Sequence, residues 1–153
     1  MNLTGTFTFN GSRQKVWDLL QDPEVLAKAL PGTERLTLAG PDRFEGVMKV
    51  SVGPMTAAKF DVTVTLGDKR PPEHFSMQID GKGNVGFAHG TASVDLQDQP
   101  DGGTLMQYSS DVQIGGRIAS VGQRLIESVS RMMMRQALEA LDRELRARMK
   151  ASS

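Results

Sequence analysis

The strongest constraint on this chain is a periodic stretch near its C-terminus, residues 117–149, which follows Gly115-Gly116. Apolar side chains fall there at Ile118, Val121, Leu125, Val129, Met132, Met133, Ala137, Leu138, Leu141, Leu145 and Met149. Steps of three and four residues put them on one stripe of a helix. Arg124, Glu127, Arg131, Arg135, Glu139, Arg143 and Arg146 fall on the other side. Glu127/Arg131, Glu139/Arg143 and Glu144/Arg148 stand in the favourable order, acid four residues before base. Arg143, Arg146, Arg148 and Lys150 suit the negative end of the helix dipole. At 1.5 Å per residue the helix would be roughly 50 Å long. No second long stripe exists to pair with it, so it must lie on a broad surface made by the rest of the chain.

That surface reads as a sheet. Leu3, Gly5, Phe7 and Phe9 alternate with Thr4, Thr6 and Thr8, as in a half-buried strand. Ser12 then caps a short helix with Val16, Leu19 and Leu20 on its apolar edge, and Asp22-Pro23 opens a second that ends at Leu30-Pro31-Gly32. From Thr33 the period is two. Five turns, at Gly40-Pro41-Asp42, Gly53-Pro54, Pro71-Pro72, Gly81-Lys82-Gly83-Asn84 and Pro100-Asp101-Gly102-Gly103, separate about six consecutive strands. Consecutive strands with short connections form an antiparallel meander. The expected fold is α+β: a curved antiparallel sheet of about seven strands wrapped around the long C-terminal helix, with two short helices after strand 1.

At 153 residues the natural division is one domain over 1–150 and a tail at 151–153. Eighteen basic and eighteen acidic residues cancel, so no global charge favours nucleic acid. The absence of cysteine removes disulfides, thiol nucleophiles and thiolate metal ligands. Met1-Asn2-Leu3-Thr4-Gly5 has no basic segment leading into an apolar one, which predicts no signal peptide and a cytoplasmic location.

Catalytic chemistry finds little footing. His74 follows Pro71-Pro72-Glu73, which predicts a loop residue; His89 alternates with Ala88 and Gly90, which points it to solvent. Asp61, Asp80, Asp95 and Asp111 alternate onto polar strand faces, and no acid pair has a metal or glycosidase spacing. Gly81-Lys82-Gly83 lacks the strand-to-helix context of a phosphate loop. No catalytic residue and no metal ligand is therefore expected.

A cavity is the better expectation. Small residues Gly46, Ala58, Gly90 and Ala92 share strand faces with Met48, Val50, Phe60 and Val94, leaving room under the helix or admitting its close approach. The predicted lining is Met48, Val50, Phe60, Met77, Gly90, Ala92, Met106 and Tyr108 from the sheet, with Ile118, Gly122, Leu125, Val129, Met132 and Met133 from the helix. Unbranched thioethers make such a lining adaptable, and also serve as ordinary core filling. Tyr108, the only tyrosine, would place a hydroxyl on the inner face for a ligand or a backbone carbonyl. Leu26, Leu30 and Pro31 are expected to rim the entrance.

The sequence also resembles a known family. The matching stretches are Trp17 to Leu26, Leu30-Pro31-Gly32, Val50-Ser51-Val52-Gly53-Pro54, and Gly81-Lys82-Gly83 with Gly86, Phe87, Ala88 and Gly90. Asp111 to Ala119 then runs into Gly122 and Arg124-Leu125-Ile126. In these the chain is similar to the CoxG family of carbon monoxide dehydrogenase subunits, within the START-like (SRPBCC) superfamily, whose fold is the helix-grip. The resemblance implies a non-enzymatic accessory protein for a molybdenum hydroxylase of the carbon monoxide dehydrogenase type. It implies membrane recruitment, and a cavity suited to a quinone or other lipophilic molecule, with no cofactor required. Some members continue into a linker and a membrane-binding helix, whereas this sequence stops at Lys150-Ala151-Ser152-Ser153. The expectation is therefore transient contact at the inner face of the membrane. Two alternatives stand beside it: a pure docking factor with a filled cavity, and a START-like cyclase or hydrolase.

Overall fold

The computed structural model describes residues 1–151, so positions 152 and 153 of the predicted tail lie outside the described residues. Seven strands form one sheet: β1 (Asn2–Phe9), β2 (Thr33–Gly40), β3 (Arg43–Val52), β4 (Met55–Arg70), β5 (His74–Gly83), β6 (Gly86–Asp98) and β7 (Thr104–Gly115). The helices are α1 (Arg13–Leu20), α2 (Pro23–Ala29), a 3₁₀ helix (Arg117–Val121) and α3 (Gln123–Ala151). Strand order is β1-β7-β6-β5-β4-β3-β2, and every neighbouring pair is antiparallel. The chain leaves β1 at one edge, crosses through α1 and α2, enters β2 at the other edge and meanders back to β7. This is the expected helix-grip architecture.

Local chemistry sets the element ends. Ser12 accepts a hydrogen bond from Lys15 N–H at 3.3 Å and caps α1. Asp22 accepts from Glu24 N–H at 3.0 Å, and Pro23 opens α2, where its missing N–H costs nothing. Thr104, fully buried, donates to the Gly11 carbonyl at 2.7 Å and ties the start of β7 to the loop before α1.

Four sequence expectations are corrected. The predicted single helix over 117–149 is broken at Gly122, whose φ of 100° lies outside helical space, so α3 itself has 29 residues, about 44 Å. Of the three expected acid–base pairs along it, only Glu144–Arg148 closes, at 3.5 Å; Asp142–Arg146 closes as well, at 3.0 Å. The predicted turn at 81–84 is narrower, because β5 continues through Gly83. His74 is not in a loop: it opens β5, paired with Asp95 of β6, and its ring bridges Asp95 Oδ1 at 2.8 Å and Asp68 Oδ2 at 3.2 Å.

The sheet and helices enclose two apolar clusters. The larger joins Phe9, Val16, Trp17 and Leu19 to Phe44, Phe75 and Leu96 beneath Leu138, Leu141 and Leu145 of α3. The smaller, at the other end of the helix, gathers Val52, Ala58, Phe60, Ile118 and Ile126. The C-terminal half of α3 is thus held by the short helices and the sheet. The N-terminal half is held through the 3₁₀ helix, where Ile118 N–H donates to the Val85 carbonyl at 2.7 Å.

Candidate functional site

Beside the larger cluster, toward the N-terminal end of α3, the space beneath the helix is not filled, and most of the smaller cluster serves as its wall. A cavity of about 360 Å³ opens there, walled almost wholly by apolar side chains. Alternate residues of the strands supply its floor: Met48, Val50 and Val52 from β3, Phe60 and Val62 from β4, Met77 and Ile79 from β5, Ala88 and Ala92 from β6, and Ser110, Val112 and Ile114 from β7. The roof is one stripe of α3: Ile126, Val129, Ser130, Met133, Met134 and Ala137. Positions three, four, seven, eight and eleven after Ile126 recur on one face because the helix turns every 3.6 residues. Ile118 closes one end, and Leu30 and Pro31 stand at the side after α2.

Eight of the predicted lining residues meet at this cavity: Met48, Val50, Phe60, Met77, Ala92, Ile118, Val129 and Met133, with Leu30 and Pro31 of the predicted rim. The others do not. Met106 is buried in the larger cluster and Tyr108 packs against it, over Gly5 of the neighbouring strand. Leu26 also packs on that cluster rather than on the rim. Leu125 packs in the smaller cluster, above Gly53. Met132 turns outward and is 41% exposed, one residue out of phase with the stripe. Gly122 faces open space and serves the backbone break. At Gly90 a Cβ would come within 2.8 Å of the Val112 side chain and 2.9 Å of the Asp111 carbonyl, so the missing side chain admits β7 rather than a ligand. Gly46 likewise admits the Arg35 carbonyl of β2.

The lining residues that sequence reasoning misses are largely within reach of strand parity. Val62, Ile79, Ala88 and Val112 each lie two or four residues from a predicted neighbour on the same face, and Ile114 lies six from Tyr108. Ser130 is different. It interrupts the apolar stripe with a hydroxyl, and the stripe alone gives no reason for it.

The lining carries no charged side chain. Its one formal charge, the Met1 ammonium, donates to the Val112 carbonyl at 2.9 Å and lies 3.9 Å from the Asp111 carboxylate. The titratable groups gather elsewhere. His74 lies with Asp68 and Asp95, and His89 with Asp80 at 2.8 Å. At the end of α3, Arg148 donates to Asp22 Oδ2 at 2.9 Å, and this hydrogen bond, opposed by partial burial, holds the Asp22 carboxyl below its usual range. Among the described residues no group of three or more His, Asp or Glu side chains is arranged to hold a metal. No helix among them is long and apolar enough to cross a membrane. A second concavity, about 440 Å³ around Lys82, Phe87, His89 and Arg117, is an open depression that encloses little.

The family model for CoxG, a carbon monoxide dehydrogenase subunit, matches residues 5–146. No curated protein matches the sequence. Among solved structures, a conserved protein from Geobacillus kaustophilus is 26% identical with a TM-score of 0.90, over 96% of each chain. A START superfamily protein from Mycobacterium smegmatis is 10% identical with a TM-score of 0.74, over 95% of this chain and 97% of that one. The Zhui aromatase/cyclase from Streptomyces sp. R1128 is 16% identical with a TM-score of 0.75, over 100% and 98%. At the last two identities the likeness is one of fold.

Proposed function

The chain belongs to the CoxG family of carbon monoxide dehydrogenase subunits, and from that premise we propose that it is a non-catalytic accessory protein that carries an apolar, quinone-like molecule beneath α3. The observation that carries this reading is the cavity of about 360 Å³, left open beside the larger cluster and walled by aliphatic, thioether and phenyl side chains. Pockets that take small molecules are concave and mostly apolar, with few polar groups. Methionines at Met48, Met77, Met133 and Met134 suit a ligand of variable shape. Acid–base catalysis needs a titratable group within reach of the substrate, and no lining side chain supplies one. The cyclase reading therefore gains nothing from the site.

The enzyme served, on this reading, is a molybdenum hydroxylase of the carbon monoxide dehydrogenase type, met by transient contact at the inner face of the membrane. The exposed flank of α3 supports a surface role. Arg124, Arg131 and Arg135 share it, and none forms an ion pair among the described residues. The half-exposed Met132 lies beside them.

The test is ligand capture. Solvent extraction of the purified protein, followed by titration with naphthoquinones and benzoquinones of several chain lengths, should show saturable one-to-one binding. A protein that yields no lipophilic molecule and saturates with none of the quinones or lipids offered would overturn the reading.

A further inference from the structure

The polar groups inside the cavity are few enough to say what the occupant must offer them. Only two lining side chains bear a hydroxyl, Ser110 on β7 and Ser130 on α3. The Ser110 hydroxyl donates its proton to the Leu3 carbonyl at 3.2 Å, so toward a ligand it can only accept. Ser130 makes no hydrogen bond with any described residue. It stands mid-stripe on α3, with Ile126, Val129, Met133 and Met134 around it. A serine in a helix commonly turns its hydroxyl back onto a carbonyl of the preceding turn; here that bond is not made. Strand pairing occupies the backbone along the floor of the cavity, and helical bonds occupy that of the roof. Ser130 is then the one side-chain donor that an occupant meets.

Charge narrows the choice further. An ionised carboxylate or phosphate in this space would lose its water without gaining a cation. The Met1 ammonium is engaged with Val112 and Asp111, and no lysine, arginine or histidine lines the walls. Size narrows it again. A cavity of about 360 Å³ lies at the small end of the range for ligand pockets, roughly 300–1,000 Å³, which suits a compact ring system such as a fused bicyclic one.

Resting on the reading of the cavity as a ligand site, we propose that Ser130 is its specificity-determining residue. It donates a hydrogen bond to the acceptor oxygen of a neutral ketone- or quinone-type ligand, and the surrounding walls refuse anions of the same shape.

Three probes of matched size separate the possibilities: 2-methyl-1,4-naphthoquinone, 2-methylnaphthalene and 2-naphthoate. Carbon-13 labelling of the methionine methyls reports occupancy, because Met48, Met77, Met133 and Met134 all face the space. At pH 7 the naphthoquinone should bind roughly five- to tenfold more tightly than the hydrocarbon, the worth of one hydrogen bond. In Ser130→Ala, a change that favours the helix, naphthoquinone affinity should fall to that of the hydrocarbon, whose own affinity stays put. The naphthoate should shift no methyl. Equal binding of the naphthoquinone and the hydrocarbon in the native protein, an advantage that survives Ser130→Ala, or saturable binding of naphthoate would each overturn the inference while leaving a ligand cavity in place. Silence of the methyl signals toward all three probes would overturn the cavity reading itself, and this inference with it.

Discussion

Ala92→Ile turns the question of open or filled space into a sign. Ala92 lies on β6 between Met77 of β5 and Ser110 of β7, and all three face the cavity. Isoleucine adds three carbons pointing into that volume and suits a strand. If the space is empty in the unliganded protein, those carbons leave water at about 0.8 kcal/mol each, about 2.4 kcal/mol in sum. Fixing the longer side chain takes back about 0.5–1 kcal/mol. The protein should gain about 1.5–2 kcal/mol, which in a domain of this size raises Tm by roughly 3–8 °C. The same carbons occupy space that a ligand needs, so affinity for 2-methyl-1,4-naphthoquinone should fall by roughly tenfold or more. Urea denaturation of the ligand-free protein gives the first number and quinone titration the second. In a filled core the added bulk would instead cost about 1–3 kcal/mol. A destabilised Ala92→Ile protein whose quinone affinity is intact would refute both the empty space and its use.

Two further predictions concern what holds the cavity's frame. Asp22→Asn keeps a good helix cap for α2 but loses the charge that meets Arg148; the partly exposed pair is worth about 0.5 kcal/mol. Because the folded carboxyl titrates below its unfolded value, that stability is present above about pH 4 and disappears as pH falls through the lower, folded value. Denaturation curves of the two proteins should therefore differ at pH 7 and converge in acid, and a constant gap would count against the pair. Gly122→Ala should cost about 1–3 kcal/mol although no atom lies within 4 Å of the new methyl, since φ of 100° with ψ of 143° is a glycine conformation. An unchanged urea midpoint would show that the break between the 3₁₀ helix and α3 is not fixed there.

Alternation makes most of the cavity floor legible in the sequence. Met48, Val50, Phe60, Met77 and Ala92 can be assigned to one surface because side chains on a strand face recur every second residue. Parity fixes a face, not a position along it. Met106 and Tyr108 have the right parity but lie toward the end of the sheet covered by α1 and α2, which only register and curvature decide. Small residues are ambiguous for another reason. The side chain absent at Gly46 or Gly90 is replaced by a neighbouring strand, whereas at Ala88 and Ala92 nothing replaces it. On the helix the cavity-facing arc takes in Met133 and Met134, and the 100° step back to Met132 turns that side chain out of it. The break at Gly122 is hidden in the sequence because Ile118 and Val121, in the 3₁₀ segment, happen to keep the spacing of the stripe that follows.

Having two clusters instead of one changes what this protein can tolerate over generations. Cohesion is uneven along α3: the cluster around Leu145 is filled, whereas Val52, Phe60, Ile118 and Ile126 of the other also line the cavity. Wall residues that belong to neither cluster, such as Met48, Ile79, Ala92 and Met133, contribute least to that cohesion. A substitution there alters what is held before it alters whether the chain holds together. Descendants of one such sequence can therefore drift toward new cargo through viable intermediates, each folded, with the fittings at the two ends left untouched.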